Sequence, residues 1–292
     1  MKPTIRRIPA ADGLTLNALE WSTEGTPMLL LHGFSNEAHI WDDFAPTVAP
    51  YYHVIAIDLR GHGDSDWHPD ARYDYADHVT DLEAVYASLG IERAVLVAHS
   101  LGGRIAMLFC GEHPERVAGL VIVDSAPELD ARGTTRISLD TAQHRDPSFA
   151  SISEYEQMLV HGYPAATPAA ITRMARHGLK QREDGRFVLK MDIAFRGVVS
   201  GEGGEVDQAA IEAHHLAYRE MMWKALERVA CPTLVVRGAA SDIVSADVAD
   251  RMVEDVLGQG ELAVVARAGH SVMTDNPDGF RDAVTSFVLA EE

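Results

Sequence analysis

The chain has 292 residues, 47% of them hydrophobic, which suits one large core with an insertion or two ordinary domains. Its 44 acidic and 25 basic side chains give a net charge of -19, which disfavours nucleic acid or an anionic membrane as a partner. Apolar runs such as Met28 to Leu31 are too short to span a bilayer, and Met1 to Arg7 does not lead into a signal-peptide core. We therefore expect a cytoplasmic protein.

The first part of the chain has the pattern of a mostly parallel sheet. Thr4 to Ala10 and Leu14 to Trp21 flank the turn signal Asp12-Gly13, which predicts an antiparallel hairpin. Continuous apolar runs that predict buried strands follow at Met28 to Leu31, His53 to Ile57, Ala94 to Ala98 and Gly119 to Val123. Helical patterns at Tyr75 to Leu89 and Leu101 to Glu112 separate them. This alternation predicts helices on both faces of a doubly wound sheet.

After Pro127 the alternation stops until Thr233, and the segment between is predicted to be mainly helical. Ser153 with Glu156 has the spacing of a capping box, and Thr167-Pro168 predicts the start of a second helix. The remaining features of the segment are a hairpin signal at Asp184-Gly185, a flexible joint at Gly201 to Gly204 and a helix that opens at Asp207.

Strand and helix alternation then returns to the end of the chain. The predicted elements are Thr233 to Val236, Ala246 to Leu257, Leu262 to Ala266 and Phe280 to Ala290. The expected organisation is one α/β core, residues 1–126 and 230–292, interrupted by a helical lid at residues 127–229.

Ser100 stands at an abrupt change from strand to helix. The apolar run from Ala94 ends at Ser100, and Gly102 and Gly103 follow within a helical pattern. A serine at such a turn has an exposed hydroxyl on a strained backbone, which suits a nucleophile. A serine that only caps the following helix has the same local pattern. The residues around the turn alone do not separate these two readings.

A serine nucleophile needs a base, and the base needs a carboxylate that orients it. Parallel sheets bind ligands at the carboxyl ends of their strands, and Asp58, Asp124, Asp242 and His270 all follow strands. We take His270 as the base, expect most other histidines to be solvated, and expect His62 and His99 to be structural. Asp242 and Asp124 both end a strand, and order and spacing favour Asp242 as the acid.

The reaction also needs hydrogen-bond donors for the oxyanion that forms when Ser100 attacks a carbonyl. Backbone N–H groups suit this role because they are fixed before the charge develops. The Leu101 N–H, at the start of a helix, and the Phe34 N–H, after Gly33, are the candidates. Gly33 and Gly102 would then be glycine because the chain approaches closely at both.

Five short stretches together resemble the α/β-hydrolase fold family. They are Val97 to Gly103, His32-Gly33-Phe34, Asp58 to Ser65, Gly238 to Asp242 and Ala268-Gly269-His270. The order Ser100, Asp242, His270 matches the serine, acid, histidine order of that family. The resemblance covers nearly the whole chain and implies a lid between the sixth and seventh strands. Ala98 departs from the family pattern, which more often has glycine there.

The family resemblance implies a serine hydrolase that cleaves a carboxylic ester or lactone through an acyl-enzyme on Ser100. Family members that act as haloalkane dehalogenases or epoxide hydrolases carry aspartate at this position, so those activities are not expected. Cofactorless haloperoxidases or perhydrolases, carbon–carbon bond hydrolases and thioesterases use a similar triad and stay open as alternatives. A non-enzymatic alternative is a receptor-like protein that binds a ligand and retains the triad.

We expect a small-molecule substrate in an apolar pocket, with no cofactor and no metal. Residues that could line the pocket under the lid are Tyr155, Met158, Met222 and Trp223, although packing inside the lid explains them as well. The histidine pair His214-His215 and the two cysteines, Cys110 and Cys231, lack partners at metal-ligand spacings. Gly61 to Asp66 lacks the third glycine of a dinucleotide fingerprint.

Overall fold

The computed structural model of the chain describes residues 2–143, 148–195 and 208–290, with the side chains of 140–143 and 208–215 left out. The predicted joint at Gly201 to Gly204 and the predicted helix start at Asp207 lie outside these residues. The described strands are β1 (Thr4–Pro9), β2 (Thr15–Glu20), β3 (Thr26–Leu31), β4 (Tyr52–Ile57), β5 (Ala94–His99), β6 (Val117–Val123), β7 (Ser148–Phe149), β8 (Leu179–Gln181), β9 (Phe187–Leu189), β10 (Thr233–Gly238) and β11 (Gly260–Val265).

Helices connect most of these strands. The described α-helices are α1 (Ala45–Val48), α2 (Tyr75–Leu89), α3 (Leu101–Glu112), α4 (Ala131–Gln143), α5 (Ile152–Gly162), α6 (Pro168–His177), α7 (Gln208–Leu226), α8 (Ala246–Arg251), α9 (Val272–Asp275) and α10 (Pro277–Val288). None of these helices combines the length and the apolar character needed to cross a membrane.

Eight strands form one sheet in the order β1-β2-β4-β3-β5-β6-β10-β11. The opening hairpin pairs antiparallel, as predicted, and β2 also runs antiparallel to β4, whereas the other neighbours are parallel. Central strands are buried on both faces, and all six residues of β5 are buried. Helices α2 and α3 cover one face and α10 covers the other, so the predicted mostly parallel, doubly wound α/β sheet is confirmed.

The chain leaves the sheet after β6 and returns to it at β10, as the sequence predicts. The segment between them, called the insertion here, contains α4 to α7 and a small antiparallel sheet in the order β7-β9-β8. The hairpin signal at Asp184-Gly185 joins β8 to β9, and Gly185 has the positive φ of 83° that such a turn needs. Phe149, Leu159 and Ile171 are among the residues of a separate core within the insertion.

The last helix of the insertion packs against the main core. Met222 and Leu226 of α7 are buried in the same cluster as the α3 residues Ile105 and Phe109. A Cβ atom added to Gly111 would lie 2.6 Å from the Cα of Ala225, so α3 and α7 touch with almost no space between them. The predicted lid boundary at residue 229 therefore assigns to the lid a stretch that stabilises the sheet core.

Two helix starts differ from the sequence prediction. The helix predicted to begin at the Ser153–Glu156 box is capped instead by Ser151, whose Oγ accepts a hydrogen bond from the Glu154 N–H at 3.2 Å. Ser151 and Glu154 have the same spacing as Ser153 and Glu156, but the Glu154 carboxylate accepts from the Ala150 N–H at 2.6 Å and not from the N-cap backbone, so the helix starts earlier and without a complete capping box. The final helix begins at Pro277 rather than Phe280, because Asn276 caps it and proline suits a first helical turn.

The close contact between α3 and α7 predicts that Gly111→Val lowers stability. The added side chain has no room, and overpacking of this kind costs about 1–3 kcal/mol in the free energy of unfolding. Gly162→Val is the control, because no atom lies within 4 Å of a Cβ at that position. Urea unfolding of both variants checks this, and equal losses would contradict the packing of α7 on α3.

Candidate active site

Ser100 occupies a strained turn between β5 and α3. Its backbone has φ 52° and ψ -112°, a conformation that non-glycine residues adopt rarely. The Ser100 side chain makes no capping hydrogen bond to α3, which argues against the helix-cap reading. The hydroxyl is therefore not engaged in capping the helix, which leaves it available as a nucleophile.

Close approach of the chain around Ser100 explains the neighbouring glycines. A Cβ on Gly33 would lie 2.7 Å from His99 Nδ1 and 3.0 Å from Ser100 Cβ. A Cβ on Gly102 would lie 2.7 Å from the carbonyl oxygens of Leu31 and His32. Both positions therefore require glycine for steric reasons, as the sequence predicts.

Ser100, His270 and Asp124 form a chain of hydrogen bonds. His270 Nε2 lies 3.0 Å from Ser100 Oγ, and His270 Nδ1 lies 2.8 Å from Asp124 Oδ2. Because a carboxylate only accepts, Nδ1 carries the proton, which leaves Nε2 to accept from the serine hydroxyl. The arrangement can therefore move a proton from Ser100 to His270 while Asp124 stabilises the imidazolium.

The prediction that Asp242 orients His270 is wrong. The Asp242 carboxylate instead pairs with Arg136 of α4, at 2.7 Å from Nε and 3.0 Å from Nη2. This bidentate pair holds the pKa of Asp242 below its ordinary value, the hydrogen bond from Arg136 being the largest cause. Asp124, the rival that the sequence ranked second, is the residue that contacts the histidine.

Strand order explains why Asp124 reaches His270. β6 pairs directly with β5, and Val123 lies opposite His99, so the residue after Val123 emerges beside Ser100. Asp124 is buried and accepts from the Gly238 N–H at 3.0 Å and from the Ser241 hydroxyl at 2.6 Å. The last residue of β10 and the loop after it thus contribute the donors that fix the acid, not the acid itself.

His32 fixes the peptide bond that carries one predicted oxyanion donor. Its Nε2 accepts from the Leu59 N–H at 2.9 Å, so Nδ1 bears the proton and donates to the Gly33 carbonyl at 2.7 Å. The Asn36 N–H donates to the same carbonyl at 3.2 Å. Because a trans peptide is planar, fixing the Gly33 oxygen also fixes the direction of the Phe34 N–H.

The two predicted oxyanion donors have no competing acceptor in the part of the chain that the structure describes. Neither the Phe34 N–H nor the Leu101 N–H forms a hydrogen bond there, whereas the neighbouring Gly102 N–H donates to His32 O at 3.1 Å. Leu101 is the first residue of α3, where backbone N–H groups are unpaired by helix geometry. Their role as oxyanion donors stays a prediction.

The histidines next to the site are buried. Burial lowers the pKa of His32 to about 4 and that of His62 to about 3, and it lowers the pKa of His99 well below its ordinary value. His99 donates through Nε2 to the backbone carbonyl of His270 at 3.0 Å. His62 and His99 are therefore structural, as the sequence predicts.

The residues predicted to line the pocket belong to packed cores instead. Tyr155 lies within the core of the insertion, and Met158 packs against that core. Met222 and Trp223 lie in the main core, where the Trp223 Nε1–H donates to Glu128 at 2.9 Å. Different apolar side chains lie beside the two predicted donors, because Phe34 and Leu101 pack against Tyr73, Met191 and Phe195.

One group of potential metal ligands occurs among the described residues. Glu83, Glu112 and His113 place ligand atoms within 4.8 Å of one another, and His113 Nε2 lies 2.6 Å from Glu83 Oε1. Glu112 ends α3, whereas Ser100 immediately precedes that helix. The group therefore lies a full helix away from the Ser100 hydroxyl.

The sheet, the strained serine turn and the bonded histidine and aspartate define the class of α/β proteins with a Ser-His-Asp triad. The sequence matches the family described as alpha/beta hydrolase fold over residues 26–277. The chain therefore belongs to the α/β hydrolase fold family.

Relatives of this chain include named hydrolases and esterases. A 2-(acetamidomethylene)succinate hydrolase of Mesorhizobium japonicum is 28% identical over 284 residues, which cover 95% of this chain and 92% of that protein. An esterase of Mycobacterium tuberculosis is 24% identical over 282 residues, which cover 94% of this chain and 86% of that protein. A crystal structure of E-2-(acetamidomethylene)succinate hydrolase has a TM-score of 0.84 at 26% identity, with 99% and 100% of the two chains covered. These relatives support a hydrolase activity.

The different partners of the two aspartates predict losses of activity of very different size when each carboxylate is removed. Asp124→Asn should lower kcat by about 10⁴-fold, because an amide cannot stabilise the imidazolium or hold the reactive tautomer. Asp242→Asn should cost less than about tenfold, because an exposed ion pair is worth only about 0–1 kcal/mol. Steady-state kinetics on one activated ester compares the variants, and a larger loss in Asp242→Asn would contradict the assignment.

Buried histidines predict a loss of stability in acid. The unfolded chain binds protons at histidine near pH 6.5, whereas His32, His62, His78 and His99 stay neutral in the folded state to lower pH. The unfolded state then binds more protons, so stability falls as pH drops below about 6.5, by up to about 1.4 kcal/mol per pH unit for each histidine. Glu37 has the opposite effect, because burial raises its pKa to about 8 in the folded state. At pH values between its ordinary pKa and about 8 the folded state binds more protons at Glu37 than the unfolded state, so this group favours folding as the pH falls.

His78→Leu should reduce this acid sensitivity. Both ring nitrogens of His78 are buried without a hydrogen-bond partner in the described part of the chain, so little is lost at neutral pH. Urea unfolding at several pH values from 7.5 to about 5.5 should give a shallower slope than the wild type. His161→Leu, at an exposed position, is the control, and identical slopes for wild type and His78→Leu would contradict the prediction.

Proposed function

We propose that the protein is a serine hydrolase that cleaves a carboxylic ester or lactone. The observation that supports this most is the hydrogen-bonded chain from Ser100 Oγ through His270 to Asp124, at 3.0 Å and 2.8 Å. A serine hydroxyl is a weak nucleophile unless an adjacent base removes its proton. The strained Ser100 turn and the fixed tautomer of His270 supply that condition.

In the proposed reaction Ser100 Oγ attacks the carbonyl carbon while His270 Nε2 takes the hydroxyl proton. The tetrahedral intermediate collapses to an acyl-enzyme, and the imidazolium gives its proton to the departing alkoxide. Water then attacks the acyl-enzyme, His270 takes one proton from it, and Ser100 regains its own when the acid is released. Asp124 stays ionised throughout and orients His270.

The oxyanion of each intermediate would be held by the backbone N–H groups of Phe34 and Leu101. Donors of this kind are worth about 3 kcal/mol of barrier each, because they are oriented before charge develops. The dipole of α3 adds to this, since Leu101 lies at its amino end. Gly33 supports the assignment, because its lack of a side chain lets the loop that contains Phe34 approach Ser100.

An ester or lactone fits the serine nucleophile better than a carbon–halogen bond. A serine ester intermediate forms at a carbonyl and is hydrolysed at the same carbonyl with the same two donors. The names of the relatives, which include an esterase and a 2-(acetamidomethylene)succinate hydrolase, support acyl transfer to water. We propose a small-molecule substrate handled without a cofactor.

The test measures hydrolysis of a panel of esters of increasing acyl length, together with lactones and thioesters. The rates of the wild type are compared with those of Ser100→Ala, which serves as the blank. Turnover of at least one ester or lactone is expected for the wild type, and Ser100→Ala should lose about 10⁶-fold in kcat. Wild-type turnover in Ser100→Ala would show that Ser100 is not the nucleophile. No turnover across the panel, with a ligand-dependent rise in Tm, would instead favour a binding protein.

A further inference from the structure

Residues 192–195, a short segment of the insertion between β9 and α7, are attached by hydrogen bonds to the sheet domain. The Asp192 N–H donates to the Gly61 carbonyl at 2.8 Å, and the Tyr73 hydroxyl donates to the Asp192 carboxylate. Within the segment, the Phe195 N–H donates to Asp192 O at 3.1 Å. This short segment of the insertion is therefore held at a fixed place on the sheet domain.

Phe195 packs into a box of aromatic rings formed by Phe34, His62 and Tyr73. Its ring stacks on Tyr73 at 4.4 Å between centroids and meets the edge of His62 at 4.7 Å. The Phe34 ring lies 5.9 Å away, and Phe195 is only 3% exposed. A Cβ on Gly61 would lie 3.2 Å from the Phe195 ring, so the box has no spare volume on that side. Ring pairs at these distances pack favourably.

The same box also supports His32. The His62 ring meets the His32 ring edge-on at 5.2 Å, and His32 donates to the Gly33 carbonyl. Phe195 thus contacts Phe34 directly and reaches the Gly33–Phe34 peptide a second time through two imidazoles. Both routes end at the peptide bond whose N–H is the proposed oxyanion donor.

The turn that contains Phe34 needs this support because its backbone is strained. Ser35 has a φ of 58°, a left-handed conformation that non-glycine residues adopt at a cost of about 1 kcal/mol or more. The strain would be relieved if the turn changed conformation, and the Phe34 ring would then have to move. Phe195, held from the insertion, occupies the space beside that ring.

We propose that Phe195 is a positioning residue for the oxyanion hole: the insertion uses it to hold Phe34 so that the Phe34 N–H faces Ser100. Because Phe195 is buried, it acts in this proposal through Phe34 and not through contact with the substrate. The position of the insertion and the orientation of the Phe34 N–H are therefore linked through one aromatic side chain. This inference rests on the proposed function.

The test measures inactivation of the full-length protein by an alkyl fluorophosphonate, in which Ser100 Oγ bonds to phosphorus, fluoride leaves and His270 takes the proton. Phe195→Ala should lower the maximal inactivation rate by about 10- to 100-fold, because misplacing one group by about 1 Å can cost 10²-fold. The concentration for half-maximal rate should change little, since Phe195 does not contact the reagent. Phe195→Leu, which restores apolar volume, should recover part of the rate.

Phe149→Ala is the matched control, because Phe149 is a buried aromatic of the insertion that packs on Tyr155 away from Phe34. An unchanged rate in Phe195→Ala, or an equal loss in both alanine variants, would overturn the proposal. If Phe195→Ala does not fold, the maximal inactivation rates of Phe195→Leu and Phe149→Leu are compared instead. An unchanged rate in Phe195→Leu, or an equal loss in both leucine variants, would then overturn the proposal. Labelling of Ser100→Ala at the wild-type rate would instead contradict the proposed function, and no ester turnover is needed to read either result.

Discussion

The whole site depends on the backbone of Ser100, which is held in a conformation that an isolated chain would avoid. Such a conformation costs on the order of 1–3 kcal/mol and persists only where the surroundings fix it. Two hydrogen bonds to the next strand do so here: the Ser100 N–H donates to Val123 O at 3.1 Å, and the Ser125 hydroxyl donates to Ser100 O at 2.7 Å. Because Asp124 lies between those partners, the contacts that strain the nucleophile also place the acid.

The fold and two members of the triad could be predicted from the sequence because local patterns carry them. Buried parallel strands appear as continuous apolar runs, and Ser100 follows such a run. His270 lies in the loop after the last predicted strand, at the carboxyl edge of the sheet where ligands bind. The acid could not be chosen in this way, because Asp124 and Asp242 both follow strands and only the lateral order of the sheet separates them. The residue that the loop after β10 directs at the site is Ser241, a donor to Asp124, and hydroxyl donors of this kind have no distinctive sequence signal.

The apolar residues around the site were harder to predict than its polar ones. Met222 and Trp223 are large apolar side chains within a predicted helix, but their apolar character does not say which neighbour they will cover. In the structure they cover α3 and not a pocket. Phe195 follows no motif, and its importance arises from contacts with Tyr73, His62 and Phe34, which lie far from it in the sequence.

The hydrogen bond from His99 to the His270 carbonyl has a consequence for motion in this molecule. His99 directly precedes Ser100, so the nucleophile and the base are both attached to the end of one central strand. Their separation is then set inside the sheet core and is independent of where the insertion lies. A displacement of the insertion would therefore leave the path of the proton between Ser100 and His270 at the same length.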